Sequence, residues 1–327
     1  MDLGSIDFGS IIGKIKDLIG GIDLGGIVDK VKPVLDKVVD FFKNSPSMFM
    51  ALLLFLTVMF DPAAGNTDTA MLVNEEVKVL VDAALTGQGL TNDGQYVYSS
   101  GSLTALKLNG LAKFDMETMN RVKYEKNVLP KSLTERGNDH IGGISYYNGK
   151  IYAGVEASKG DNMYPCIVVF DAESLKYVTH YDLPTSWFPD GLPYVAVDQA
   201  TGLLYTSRWT DATSIHVFDI DATMAHVVEI DITGVDSLSR IQGGEVYDGK
   251  LYLSQDTDGT NIKNVYAFDI ETGETEIAFT RDAGKIDAEA EDITIYEAKD
   301  GSFFHVVDYN KIISTYIRSY IMIEDAE

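Results

Sequence analysis

Cysteine is almost absent from the 327 residues: Cys166 stands alone, so no disulfide can form within the chain. It lies in the apolar, strand-like run Cys166-Ile167-Val168-Val169-Phe170, where a thiol serves as a small buried hydrophobe rather than a nucleophile. The five histidines are scattered and show no zinc-ligand spacing. A phosphate-binding glycine loop and a Gly-x-Ser-x-Gly elbow are both missing. Basic residues are few, with 26 Lys and Arg against 50 Asp and Glu, a net charge of −24. A nucleic-acid surface needs clustered cations, so that partner class is excluded. The acidity reads as a solubility feature rather than as a mark of a cationic partner. Residues 1–60 hold six Lys and seven Asp, so nearly all of the excess lies beyond them.

Apolar runs long enough to span a bilayer are also lacking. The run that comes nearest, Met48–Phe60, has thirteen uncharged residues. As a helix it reaches about 20 Å, against a hydrocarbon core of about 30 Å. Phe41 and Phe42 extend it past Lys43 and Pro46, with the lysine snorkelling. The segment 46–61 therefore reads as a short signal-anchor helix. Lysines before it and Asp61 and Asp68 after it place the N-terminus inside and the rest of the chain on the extracytoplasmic side. Two other readings stand beside it: cleavage after Ala63-Ala64-Gly65, which would secrete the remainder, and a buried core helix of a soluble assembly. Upstream, residues 1–45 carry an internal repeat. Ile6-Asp7-Phe8-Gly9 is echoed sixteen residues later by Ile22-Asp23-Leu24-Gly25. Each copy leads into an amphipathic stretch, the clearer being Ile27, Val28, Val31, Val34, Leu35, Val38, Val39 and Phe42. Such a stripe suits a membrane surface or a second copy of the chain, so a homo-oligomer is one expectation.

Residues 62–76 read as a linker, and from Val77 to the end the chain is built of repeats. An offset of one hundred residues lays Asp139-His140-Ile141-Gly142-Gly143-Ile144 over Ser239-Arg240-Ile241-Gln242-Gly243-Gly244 without a gap. Weaker copies begin at Gly87, Asp190 and Glu289. Each unit of about fifty residues has one order. An apolar strand meets Asn-Gly, Asp-Gly or Thr-Gly, which are hairpin turn pairs. A second strand, a variable loop, a third strand ending in Phe-Asp, a tight turn and a fourth strand follow. Four antiparallel strands per repeat make a propeller blade. The fold class is therefore an all-β propeller, with five blades fitting the length and six requiring one more repeat. The run Val77–Ala84 is expected to close the ring as the outer strand of the last blade.

Two stretches carry a family likeness. They are Lys150-Ile151-Tyr152-Ala153-Gly154 with Ile167-Val168-Val169-Phe170-Asp171, and Lys250-Leu251-Tyr252-Leu253-Ser254 with Val265-Tyr266-Ala267-Phe268-Asp269. They resemble the repeats of YVTN/NHL-type propellers over about 250 residues. The resemblance implies an extracytoplasmic binding or surface protein. More distantly similar propellers, of the strictosidine-synthase and gluconolactonase kind, are enzymes with a calcium-like ion in the tunnel. That implies, as the alternative, a metal-dependent lactonase- or esterase-like hydrolase.

Blade topology says which loops share a face. The approach to strand one and the exit from strand two emerge together, opposite the Asn-Gly hairpins, which should carry only turns. His140, Asp190, Arg240, Glu289 and Glu291 precede first strands. Glu156, Arg208, Asp256 and Asp308 end second strands. These nine should ring the tunnel mouth, with Gln88 and Gln242 nearby. Mixed carboxylates and guanidinium groups there suit a polar small molecule, a glycan or a cation. Glu289, Glu291, Asp292 and Asp308 offer the oxygen donors of a hard cation such as calcium, and His140 is a candidate base. The same residues read as well as polar groups paired with one another at strand ends. Tyr164, Trp187, Phe188 and Trp209 form a candidate aromatic rim for a sugar or a protein. The expected function is a membrane-anchored extracytoplasmic propeller that binds or organises a small polar ligand, glycan or protein.

Overall fold

The computed structural model describes residues 63–79, 81–103, 108–157, 164–286, 288–310 and 314–323. The chain divides into two units, residues 1–60 and 61–327, and the described residues belong to the second. The amphipathic helices and the apolar anchor expected in residues 1–61 lie outside the described residues.

Five four-stranded antiparallel sheets make up the second unit. Blade one contains β2 (Leu90–Asn92), β3 (Tyr96–Leu103), β4 (Leu108–Asp115) and β5 (Arg121–Lys126). Blade two contains β6 (Asn138–Tyr147), β7 (Lys150–Ala157), β8 (Cys166–Asp171) and β9 (Tyr177–Asp182). Blade three contains β10 (Ala196–Asp198), β11 (Leu203–Thr206), β12 (Ser214–Asp219) and β13 (Ala225–Asp231). Blade four contains β14 (Ile241–Tyr247), β15 (Lys250–Gln255), β16 (Ile262–Asp269) and β17 (Thr275–Asp282). Blade five contains β18 (Glu289–Ile295), β19 (Phe304–Asn310) and β20 (Ser314–Met322), with β1 (Ala70–Val79) as its outer strand. First strands touch in the cycle β2, β6, β10, β14, β18 and back to β2. The ring thus closes at five blades, as the repeat length requires.

The closure works as expected, but with other residues. The closing strand is Ala70–Val79, paired in antiparallel register with β20. Residues 70–76, read from sequence as linker, are therefore part of the sheet. Residues 81–84, expected to continue the strand, belong instead to helix α1 (Val81–Thr86), which leads into blade one. A second short helix, α2 (Lys131–Thr134), links blades one and two.

Apolar side chains gather in five clusters, one between each pair of neighbouring blades. Tyr98 and Leu111 of blade one meet Ile151, Val155 and Phe170 of blade two. Tyr152 and Val169 meet Val195, Leu204 and Phe218. Comparable clusters lie between blades three and four, four and five, and five and one. Middle strands face a cluster on both sides, which is why β8 is apolar at five successive residues. Each fully buried aromatic or branched aliphatic side chain contributes about 1.5–3 kcal/mol. Cys166 lies in the cluster between blades one and two, free and buried, and burial pushes its thiol up to about 12.

Turn chemistry is as the sequence reads. Asn148-Gly149 and Asp248-Gly249 both hold two successive positive φ angles, as a type I′ hairpin requires. In blades one to four the aspartate that closes the third strand caps the following turn. Asp171 Oδ1 accepts the Ser174 N–H at 2.9 Å and its hydroxyl at 2.7 Å. Asp115 does the same with Thr118, and Asp269 with Thr272.

Candidate functional site

Strand register delivers the mouth residues. His140 pairs with Glu156, and Ile241 pairs with Gln255, so the start of strand one lies beside the end of strand two. Further along the first strands, one side chain bridges four of them. Asp292 of β18 is fully buried. Its Oδ2 accepts the N–H groups of Leu90 and Ile144, each at 2.9 Å. Its Oδ1 accepts those of Gly244 and Ile293, also at 2.9 Å. One side chain therefore joins the first strands of blades one, two, four and five. Room for it exists because its neighbours are glycines: a Cβ on Gly243 would lie 2.1 Å from Asp292 Oδ1. Burial pushes the Asp292 pKa up to about 8, although all four amides hold it down. Glu245, buried near Asp292, is raised well above the usual carboxylate range by burial and by that neighbour, and its Oε2 has no hydrogen-bond partner among the described residues.

The expected mouth residues form separate groups. In the first, Gln88 Nε2 donates to Glu291 Oε1 at 3.1 Å and to the Gly87 carbonyl at 2.7 Å. Its Oε1 is thereby the acceptor facing His140, which places the imidazole proton on Nε2. Burial lowers the His140 pKa to about 4, against a small opposing effect of Asp139, so the ring is neutral. Glu291 is almost fully buried. Burial raises its pKa well above the ordinary range, and Glu289, Asp256 and Asp292 push it further.

The second group is ionic. Asp256 Oδ1 accepts from Lys263 Nζ at 2.9 Å, and its Oδ2 from the Arg240 guanidinium. Arg240 also donates to the Asp256 carbonyl at 2.8 Å and lies 5.4 Å from the Trp209 ring centre. Arg240, Asp256, Lys263, Asp258 and Glu289 line a cavity of about 190 Å³. The third group is Glu156, whose Oε2 accepts the Leu192 N–H. Burial raises its pKa to about 7; the Leu192 amide offsets part of this and Asp190 adds to it. Asp190 is exposed and accepts the Thr210 N–H at 2.9 Å.

Two of the nine expected rim residues lie elsewhere. Asp308 has no exposed surface. It takes two bonds from Arg281, each 2.7 Å, and one from Arg318 at 2.6 Å. Burial alone would raise its pKa, but the two guanidinium groups outweigh burial and lower it. It is a tie between blades four and five, not a ligand group. Arg208 bonds the Asp211 carbonyl at 2.7 Å and borders a cavity shared with Trp187, His216 and Glu229, apart from the groups of the mouth.

The aromatic rim also divides. Phe188 is fully buried in the cluster between blades two and three. Trp187 packs on His216 and His226 of blade three. Tyr164 is half exposed beneath Arg136. Only Trp209 joins the mouth, through Arg240. The hairpin face holds more than turns: a cavity of about 580 Å³ between blades five and one is lined there by Gln95, Glu117, Tyr296 and His305.

No protein-family model matches the chain, and no curated protein matches it. Solved structures do. The chain is similar to the glutaminyl cyclase of Myxococcus xanthus, with a TM-score of 0.53, 13% identity, and coverage of 78% of this chain and 97% of that one. It is similar to a beta-xylosidase, with a TM-score of 0.50, 12% identity, and coverage of 76% and 95%. It also matches the Dos1 propeller, with a TM-score of 0.39, 10% identity, and coverage of 70% and 67%. At these identities the likeness concerns the fold. Among the described residues no helix is long and apolar enough to cross a membrane.

Proposed function

We propose that this chain is a membrane-anchored, extracytoplasmic propeller of the YVTN/NHL type that binds a polar ligand, either a small molecule or a glycan, at its tunnel mouth. The observation that carries the reading is the set of fixed polar groups at the ends of the first and second strands. Side chains from different blades are held there in hydrogen-bonded groups. Preorganised polar groups bind at a lower ordering cost than free ones. Arg240, Glu289 and Asp258 line about 190 Å³ and offer hydrogen-bonding groups to the hydroxyls of a sugar, and Trp209, packed against Arg240 beside that lining, offers a stacking surface. Anchoring rests on Met48–Phe60, and self-association on the amphipathic stripe of residues 27–42.

Glycan-array binding followed by thermal-shift titration tests the site. Binding of a sugar that is lost in Arg240→Ala and Trp209→Ala but kept in Arg208→Ala supports it. Indifference of every bound ligand to Arg240→Ala and Trp209→Ala would sink it. For the anchor, protein that washes off membranes in alkaline carbonate would refute insertion.

A second reading is catalytic and rests on Glu291. A buried carboxyl whose pKa is raised well above normal, by burial first and by neighbouring acids, is shifted in the direction that a general acid requires. The reaction to assay is cyclisation of an amino-terminal glutamine, after the name of the Myxococcus xanthus protein. There the α-amine attacks the side-chain amide carbon, ammonia leaves, and one group relays the proton from amine to ammonia. Ammonia release from glutaminyl peptides, abolished in Glu291→Gln, would favour this reading. No release would remove it. The metal-dependent hydrolase has less support, because Asp292 and Asp308 are engaged by amides and by arginines. A calcium-dependent rise in melting temperature would revive it.

A further inference from the structure

The outer edge of blade three carries a group of side chains that the tunnel does not use. His216 on β12 and Glu229 on β13 are directly paired, and His226 is paired with Phe218. Residues 226 and 229 are three apart, so in a regular strand they would point to opposite faces. They share a face because the register slips by one residue between Val217 and Phe218, and a bulge of this kind re-aims the side chains that follow it. Blades one and two have the same slip in their outer pairs, and the equivalent side chains meet there too. Tyr177 Oη lies 2.7 Å from His180 Nδ1 in blade two. The Arg121 guanidinium lies 4.6 Å from the Tyr124 ring in blade one. The facing residue of the third strand is Ala112 in blade one and Val168 in blade two. Blade three alone among these three puts a ligand-bearing residue, His216, in that place.

The distances fit a coordination polyhedron. A tetrahedral ion with bonds of about 2.0–2.1 Å to nitrogen and about 2.0–2.2 Å to oxygen holds its ligand atoms about 3.3–3.5 Å apart. His216 Nδ1 lies 3.4 Å from His226 Nε2 and 3.6 Å from Glu229 Oε1. All three ligand atoms fall within 4.8 Å of one another. His226 and Glu229 are exposed, so a small side-chain rotation can close the remaining edge. Supporting contacts fix the donors, as the outer shell of a metal site does. Ser214 Oγ donates to Glu229 Oε2 at 3.1 Å, leaving Oε1 for the cluster. The Trp187 ring lies 4.9 Å from that of His216 and 4.5 Å from that of His226, holding both imidazoles. Beside the cluster is a cavity of about 210 Å³ bordered by Arg208, Thr213 and Ser214.

We propose that His216, His226 and Glu229 bind a divalent first-row transition metal, zinc foremost, with a fourth position open to the cavity beside Arg208. Two imidazoles and one carboxylate are borderline donors that suit zinc and its neighbours better than calcium or magnesium. Three protein ligands with an open place leave room for water or for an anion steadied by the guanidinium. Among the described residues this is the only His, Cys, Asp and Glu group with such geometry. It is independent of the tunnel mouth, so its fate does not bear on the ligand-binding reading.

The test uses the full chain without a histidine tag, purified in detergent, stripped with chelator and titrated with zinc or cobalt(II). We expect one equivalent of zinc by elemental analysis, with a Kd of about 1 µM or tighter, and cobalt visible bands of tetrahedral intensity. His226→Ala and Glu229→Gln should each weaken zinc binding at least about tenfold. His180→Ala, which alters the equivalent bulge in blade two, should leave it unchanged. Both ligand variants change exposed residues, and an unaltered melting temperature without metal verifies their fold. Failure to retain zinc or cobalt stoichiometrically, or retention undiminished in both His226→Ala and Glu229→Gln, overturns the site.

Discussion

A carboxylate that accepts four backbone amides is a joint between strands, and Asp292 is such a joint at the propeller axis. Its four hydrogen bonds all come from N–H donors, so neither oxygen acts as anything but an acceptor. Alanine there would leave up to four buried amides without a partner, each costing about 1–3 kcal/mol unless water enters. Asp292→Ala should therefore lower stability by about 3–5 kcal/mol. Asparagine keeps the shape but turns an NH₂ towards amides on one side, so Asp292→Asn should cost about 2–3 kcal/mol. Guanidinium chloride denaturation measures both, and an Asp292→Asn midpoint equal to that of the wild type would contradict the account. The sequence contained a hint of this role. Where blades two and four have Gly143 and Gly243, blade five has Asp292, and only neighbouring glycines make room for it. Without coordinates, though, one acidic residue after Glu289-Ala290-Glu291 looks like another rim carboxylate.

At the scale of elements, the closing strand is the feature with the largest consequence. β1 covers the edge of β20, and Glu75 on it bonds Arg318 at 2.7 Å, extending the ion network around Asp308. Just before it, the Thr67 hydroxyl donates to the Thr280 carbonyl at 2.6 Å, tying the strand to blade four. A fragment of residues 63–327 should fold cooperatively, whereas residues 81–327 should leave an open edge and aggregate. Gel filtration and thermal melts of the two fragments decide this; equal behaviour would show that β1 is dispensable. Much of the fold was legible in the sequence because its determinants are local. Asn148-Gly149, Asp248-Gly249 and the aspartates closing third strands fix the turns, and the turns fix the register. β1 was misplaced because Asn74, Glu75 and Glu76 interrupt its apolar pattern, and its register slips between Leu72 and Asn74. The mouth was legible as far as register carries it, which places His140 beside Glu156. What became of each group was not. Asp308 is engaged by Arg281 of β17 and Arg318 of β20, partners that no period in the sequence connects to it. The His216, His226 and Glu229 cluster escaped notice for a similar reason. A spacing of three residues within a strand predicts opposite faces, and only the bulge reverses that.

The whole molecule carries a net charge of −24 and also buries acids around its axis, and both make its stability depend on pH in a fixed direction. Burial raises the pKa of Glu156 to about 7 and lifts Glu245 and Glu291 well above the ordinary range, whereas Asp292, with only amide donors around it, has no acceptor for a proton. In the unfolded chain the raised carboxyls titrate near 4. A raised folded pKa means that folding takes up protons, so the stabilisation is complete below about pH 4 and is lost as pH rises through the folded values. His140 and His305, each lowered to about 4 mainly by burial, and His216, also lowered mainly by burial, act oppositely, losing stability as pH falls below about 6.5. Asp115, Asp171 and Asp269 are lowered by their turn hydroxyls and amides, and Asp308 is lowered by Arg281 and Arg318 against burial. Their contribution is present above about pH 4 and disappears in stronger acid. The three raised carboxyls act alone above about pH 6.5 and are opposed by three histidines below it, so stability should rise from pH 9 down to about pH 6.5, change little to about pH 4 and then fall. Surface repulsion between the excess acids would give a similar slope, but salt screens exposed charges far more than buried ones. Melting temperatures across this range in high salt should therefore keep most of the slope. Glu245→Gln, which holds the shape and never ionises, should flatten it. A slope that vanishes in salt, or that Glu245→Gln leaves intact, would assign the effect to the surface instead of the axis.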